Sequence, residues 1–195
     1  MDATTAVGSV LAAFGLAGAA GLNAWLPLFG AALLNRLDVV DLAAPFDRFS
    51  TTTGLVVLAT LTVLDLIGDK IPAVDHALHT AGTVIAPLSG AALFTGQTGA
   101  ETDIPTLVTV VAGGAVAELV HLARAALRAV STATTGGLGS PVLSSAEDAT
   151  SLALTAIAFV APFVAVIGVV AVLAAGVEFW RRRRLRRGLS ASRAR

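Results

Sequence analysis

Near the middle of the chain, the run Asp65-Leu-Ile-Gly-Asp-Lys-Ile-Pro-Ala-Val-Asp-His-Ala-Leu-His79 places three carboxylates, one lysine and two histidines between long apolar stretches. Carboxylates and imidazoles in apolar surroundings are the groups from which proton and cation relays are built. Asp65, Asp69, Lys70, Asp75, His76 and His79 therefore form a first candidate set for transport or for a polar core. A plainer reading makes Asp69 and Lys70 interfacial charges and Asp75 a first-turn residue at the positive end of a helix dipole. Asp65, the deepest of the set, reads as functional or as half of a buried pair.

A second set follows one face of a helix. Glu118, His121, Arg124 and Arg128 are spaced three, three and four residues apart, which brings all four to one side. Facing inward, this stripe would meet Asp65 or Asp69, and its arginines could hold a carboxylate or phosphate through two parallel bonds. Facing outward, it would be a solvated helix end with snorkelling arginines, a reading that suits Arg128. Ser144-Ser-Ala-Glu147 has the form of a capping box, so Ser144, Glu147 and Asp148 are expected as polar residues at a helix start. Asn23 stands beside the break expected at Gly21-Leu-Asn-Ala-Trp-Leu-Pro27, where it would line a polar cavity or bond a neighbouring helix.

Other chemistries lack their residues. Cysteine is absent, which removes disulfides, thiolates and thiolate-bound metals. His76 and His79 are three apart and no His-Glu-x-x-His occurs, so Asp75, His76 and His79 are not expected to hold a metal. No Gly-x-Ser-x-Gly is present. The chain is expected to be no enzyme and to carry no cofactor. Arg181, Arg182, Arg183 and Arg184 open a run holding six of the thirteen basic residues. They read as a stop-transfer anchor or as ligands of anionic lipid head groups. The run is too short, and too poor in aromatics, for nucleic acid.

The elements that must position these groups are membrane spans. Of 195 residues, 55% are hydrophobic and 13% charged, and the mean hydropathy is +0.83; a soluble domain carries about 25% charged residues. The apolar runs are continuous, where barrel strands would alternate. Five long segments emerge: about 4–34, broken near Pro27; 51–68, capped by Thr51 to Thr53; 72–96, interrupted by Pro87 and Gly90; 105–128; and 149–179, kinked at Pro162. The chain's start, Met-Asp-Ala-Thr-Thr, lacks the basic region of a signal peptide, so the first run is expected to be retained. Gly8, Gly15, Gly18 and Gly21 form a small-residue stripe suited to close helix contact, within the bundle or in a homo-oligomer. Trp180 marks an interface, and the arginines place the C-terminus in the cytoplasm. With five crossings, Arg36 and Arg48 would share the side of the arginine tail, and Arg124 and Arg128 would lie on the other. Gly21 to Pro27 and Gly136 to Pro141 offer a slight internal similarity of the kind found in inverted repeats.

Taken together, these residues resemble the bacterial membrane-protein family known as domain of unknown function 4126. The matching pieces are Gly21-Leu-Asn-Ala-Trp-Leu-Pro-Leu-Phe29, Asp69-Lys-Ile-Pro-Ala-Val-Asp75, Pro87-Leu-Ser-Gly-Ala91, the His121 stripe, and Pro141 through Glu147-Asp148. The resemblance implies a multi-pass bacterial membrane protein and no established activity. It also implies a basic residue before Pro87, where this chain has Ala86; if that residue binds an anion, its loss speaks against an anion site here.

The expectation is an all-α integral membrane protein: residues 1–180 form one helical membrane domain, and residues 181–195 a basic, disordered cytoplasmic tail. Its place is the bacterial cytoplasmic (inner) membrane, and its partners are the lipid bilayer and a small solute or ion. The expected function is transport or permeation, proton-coupled, through Asp65, Asp69, His121 and Glu118. The alternative is a membrane scaffold or accessory subunit whose charges merely pair helices, with no cavity between them.

Overall fold

Long Ala-, Leu- and Val-rich runs can satisfy their own backbone only as helices where no water is present. The computed structural model describes residues 3–136 and 138–193; the side chains of residues 3, 72, 73, 75, 76, 79, 180 and 183–193 lie outside that description. Among the described residues there are seven α-helices and no strand: α1 (Ala3–Leu22), α2 (Trp25–Arg36), α3 (Thr52–Gly68), α4 (Pro72–Gly99), α5 (Thr106–Thr135), α6 (Ser140–Val160) and α7 (Pro162–Arg193). A short 3-10 turn, Phe46–Ser50, precedes α3.

The helices alternate in direction. Asn23 meets both Asp65 and Asp148, while Asn35, at the other end of α2, bonds Ser50 just before α3. Helices α2 and α3 are therefore antiparallel. Phe14 packs edge-on against Phe94, and Ala20 joins Ala86 and His121 around one cavity, so α4 also runs against α1. Gly90 faces Gly113 and Gly82 faces His121, which sets α5 against α4. Ser151 donates to the Ala19 carbonyl at 3.0 Å while Ala158 approaches Gly15, so α6 opposes α1. Val169 lies against Gly18 and Ala165 against Gly15, which makes α7 parallel to α1.

The molecule thus has two ends. The loop end gathers residues 37–51 and 100–105, joined where the Ala43 N–H donates to the Gly96 carbonyl at 2.8 Å. The arginine end gathers the turns after α1, α3 and α5, together with the last part of α7. Among the described residues, three helical stretches are long and apolar enough to cross a membrane: Thr4–Leu22, Thr106–Thr135 and Pro162–Phe179. All three run in the same direction, from the loop end to the arginine end. The first is central, 61% buried against 17% for the last. Outward-facing Val56, Leu64, Leu107, Val111, Val164 and Val170 present an apolar surface of the kind lipid would cover.

Small residues make the close packing. A Cβ at Gly113 would run into the backbone carbonyl of Gly90, so α4 and α5 cross at this point with no room for a side chain on either. The stripe on α1 is used inside the bundle, with Gly15 against Ala158 and Ala165, Gly18 against Val169, and Gly21 against Ala117 and Val120; Gly8 has nothing within 4 Å.

Several boundaries differ from the sequence reading. The first apolar run is two helices, and the second turns back along α3 and α6, so Arg36 lies at the opposite end from the arginine tail and Arg124 and Arg128 at the same end. The expected five-segment side assignment is thereby reversed for these charges. Helix α4 continues through Pro87 to Gly99, and the final run is divided at Pro162 into α6 and α7. The region read as a loop from Ser131 to Pro141 is mostly helix. Thr134 and Thr135 turn their hydroxyls back onto the carbonyls of Val130 and Ser131, and Gly136 ends α5 in the left-handed conformation at φ 61°. Thr51 caps α3 as expected, accepting from the Gly54 N–H at 3.1 Å. Helix α7 runs on through the arginine cluster to Arg193, where a disordered tail was expected; arginine is a good helix former.

Candidate functional site

The break between α1 and α2 turns on Asn23. Its Oδ1 accepts from the backbone N–H groups of Trp25 and Leu26, both at 3.1 Å, satisfying donors that the start of α2 leaves free. Two backbone donors on one side fix the orientation of the amide. Its Nδ2 then faces two carboxylates, donating to Asp65 Oδ2 at 2.9 Å and to Asp148 Oδ1 at 3.0 Å. One side chain, 1% exposed, thus ties the break to α3 and α6.

A layer of ion pairs lies beside it. Asp69 caps the end of α3 and is 4% exposed. Its Oδ2 accepts from Arg124 Nη2 at 3.2 Å, Arg128 Nη2 at 3.2 Å and Ser144 Oγ at 3.0 Å. Glu147 accepts from Arg124 Nε at 2.8 Å and from Arg128 Nε at 2.9 Å. Each guanidinium therefore bridges α3 to α6, the use of a planar fork that lysine could not reproduce. Lys70, in the turn after α3, reaches Asp148 Oδ2 at 3.6 Å, with its side chain 43% exposed.

The inward reading of the second stripe holds for His121, Arg124 and Arg128. Arg128, which suited a snorkelling reading, is 9% exposed and paired with Asp69 and Glu147. Glu118 stands apart: it is half-buried and not among the residues lining the cavity, and its Oε2 is buried without a hydrogen-bond partner. The capping-box reading of Ser144 and Glu147 gives way, because α6 begins at Ser140, with Pro141 in its first turn. Ser144, Glu147 and Asp148 are thus interior helix residues whose side chains serve the polar layer and leave the free backbone donors alone. Asp75, His76 and His79 lie on α4, with side chains outside the described residues, as do those of Arg183 and Arg184. Arg181 and Arg182 are largely exposed and pair with Glu178 at 3.7 and 2.8 Å.

Between the break and the polar layer is a cavity of about 30 Å³. Asp65, Asp69, His121 and Arg124 supply its polar wall, with Trp25 and Ile85 among its apolar residues. A water needs roughly 10–15 Å³ of such space, so the cavity has room for about two waters. His121 is 1% exposed and seats against α4 at Gly82, where a Cβ would lie 2.8 Å from His121 Cε1.

Charge around the cavity is unequal. Among the described residues, Asp69 and Glu147 share two arginines and Asp148 has Lys70, while Asp65 has no lysine or arginine in ion-pair contact. Among the described residues, the hydrogen bond to Asp65 comes from the neutral Asn23 amide.

A family model described as "Domain of unknown function (DUF4126)" matches residues 10–182. No curated protein and no solved structure matches.

Proposed function

The chain belongs to that family of unknown function, and from this premise we propose that it is a multi-pass membrane protein that moves a small solute or ion, with the cavity at the α1–α2 break as its working centre. One observation carries the reading: among the described residues, Asp65 lies beside a small cavity with no lysine or arginine paired to it, while Asp69, Glu147 and Asp148 are paired. Asp65 is half-buried, and even partial burial of a carboxylate is costly unless a cation or several donors compensate, so a network that only joined helices would gain by a neutral side chain here. A broken helix beside an intramembrane polar site is also the arrangement on which many transporters are built. We place the arginine end on the cytoplasmic side, following its excess of basic residues. The loop end is acidic, with Asp38, Asp41, Asp47, Glu101 and Asp103 against Arg36 and Arg48. The reading assigns the chain no catalysis, no cofactor and no nucleic-acid partner.

A scaffold or accessory subunit is the second reading. It is favoured by the closed ion pairs of Arg124 and Arg128, which join α3, α5 and α6. The two separate in charge movement recorded from proteoliposomes on a solid support, under stepped gradients of protons, sodium, potassium and small organic ions. Transport requires a current or tracer flux that Asp65→Asn abolishes while the protein stays folded. Silence under every gradient, with Asp65→Asn as stable as wild type, rejects transport and leaves the scaffold.

A further inference from the structure

We propose that the species bound at this centre is a proton, held covalently on Asp65 Oδ1 and exchanged with water in the cavity, so that the protein passes protons and excludes metal cations, anions and organic solutes. The inference rests on the transport reading above and names its substrate. Three observations support it. The first is size: at about 30 Å³ the cavity matches roughly two waters.

The second is sign. The cavity wall combines the carboxylates of Asp65 and Asp69 with the guanidinium of Arg124. A metal cation entering it meets Arg124, and an anion meets two carboxylates. A proton becomes part of an O–H bond and needs only one oxygen and one water. The third is the bonding at Asp65. Its Oδ2 accepts from Asn23 at 2.9 Å, which leaves Oδ1 for the proton. In the binding step a hydronium gives its proton to Oδ1, one O–H bond breaks and another forms, and water remains; release is the reverse.

The charged and titratable groups surrounding Asp65 come from each neighbouring element. Asp69 belongs to the end of α3, Lys70 to the turn after it, His121, Arg124 and Arg128 to α5, and Glu147 and Asp148 to α6. On α4, Asp75, His76 and His79 have side chains outside the described residues. Asp148, joined to Asp65 through Asn23, is paired with the part-exposed Lys70.

The test uses the full chain in proteoliposomes loaded with a pH-sensitive dye, with parallel tracer measurements of sodium and rubidium. Wild type is expected to pass protons and neither metal ion, and Asp65→Asn to fall to the level of protein-free vesicles while eluting and melting as a folded protein. Asp65→Glu, which restores an ionisable oxygen, is expected to recover proton flux. Infrared difference spectra across a pH titration should show a carboxyl C=O band that is present in wild type and missing from Asp65→Asn, a readout that survives even if flux is slow. Sodium, rubidium or solute flux without proton flux would overturn the proton assignment and keep the transport reading. The absence of all flux would overturn both. A C=O band unchanged in Asp65→Asn would place the proton elsewhere and also overturn the assignment.

Discussion

Asn23 and Asp148 stand 125 residues apart in sequence, and the Asn23 Nδ2 donates to Asp148 Oδ1 at 3.0 Å, so the break after α1 is fastened to the middle of α6. The same amide holds Asp65 and caps α2. Its removal should therefore cost more than a surface hydrogen bond. Asn23→Ala leaves two carboxylates and two backbone donors short of a partner. At roughly 1–3 kcal/mol for each unsatisfied buried group, partly relieved by water, a net destabilisation on the order of 3 kcal/mol is expected. Thermal melting in detergent measures it; a loss below about 0.5 kcal/mol would mean that the break is held by packing alone.

The Arg128–Glu147 pair should behave as a buried unit. Arg128→Met or Glu147→Leu alone removes one of two partners, since Arg124 still reaches Glu147 and Asp69 still holds Arg128, and each is expected to destabilise by about 1–3 kcal/mol. The double variant should cost clearly less than the sum of the two, with a coupling of roughly 0.5–3 kcal/mol in a double-mutant cycle. Simple additivity would contradict the pairing.

At the α4–α5 crossing, Gly113→Leu has no space to enter. Overpacking of about 1–3 kcal/mol is the minimum expected, because the obstacle is the Gly90 backbone and not a movable side chain. Gly8→Leu, where nothing lies within 4 Å, is the matched control and should remain within about 0.5 kcal/mol of wild type.

Gly82→Ala is a probe of His121. The added methyl group would lie 2.8 Å from the imidazole, so the ring must shift away from α4. We expect flux to fall, because a ring lining the cavity is displaced. An unchanged flux would remove His121 from the working centre.

The alternation of the helices can be checked with single cysteines, because the chain has none of its own. Asp38→Cys lies at the loop end, and Leu138→Cys, 87% exposed, at the arginine end. A membrane-impermeant maleimide should label the first from one side of sealed vesicles and the second only from the other. Labelling of both from the same side would refute the arrangement.

How far the sequence revealed this structure depended on distance along the chain. Some local signals held: the Thr51 cap, the break at Asn23 and the one-sided stripe from His121 to Arg128 follow from spacing and backbone chemistry, whereas Pro87 did not interrupt α4 and Ser144 did not start α6. Direction was less accessible. Helix α2 has only 12 residues, about 18 Å, and nothing in its composition says whether it continues α1 or reverses. That single uncertainty changed the side assigned to Arg36, Arg124 and Arg128. The partners of Asp69 and Glu147 were hidden for a related reason: a Ser-x-x-Glu pattern satisfies a helix start equally well, and only the tertiary fold shows that Arg124 and Arg128 claim Glu147 first. No local feature distinguishes Asp65, without a base, from Asp69, with two.

The α1 stretch ends at Leu22 and α3 at Gly68, beside Asn23, Asp65 and Asp69, whereas α5 continues past His121 to Thr135, so the charged layer lies at one end of α1 and α3 instead of halfway along them. On the proposed transport reading, the site is then electrically eccentric in an energised membrane. A charge arriving at Asp65 from the arginine end crosses little of the field, whereas one leaving toward the loop end crosses most of it. At about 2.3 kcal/mol per elementary charge per 100 mV, that second limb is where membrane voltage would act.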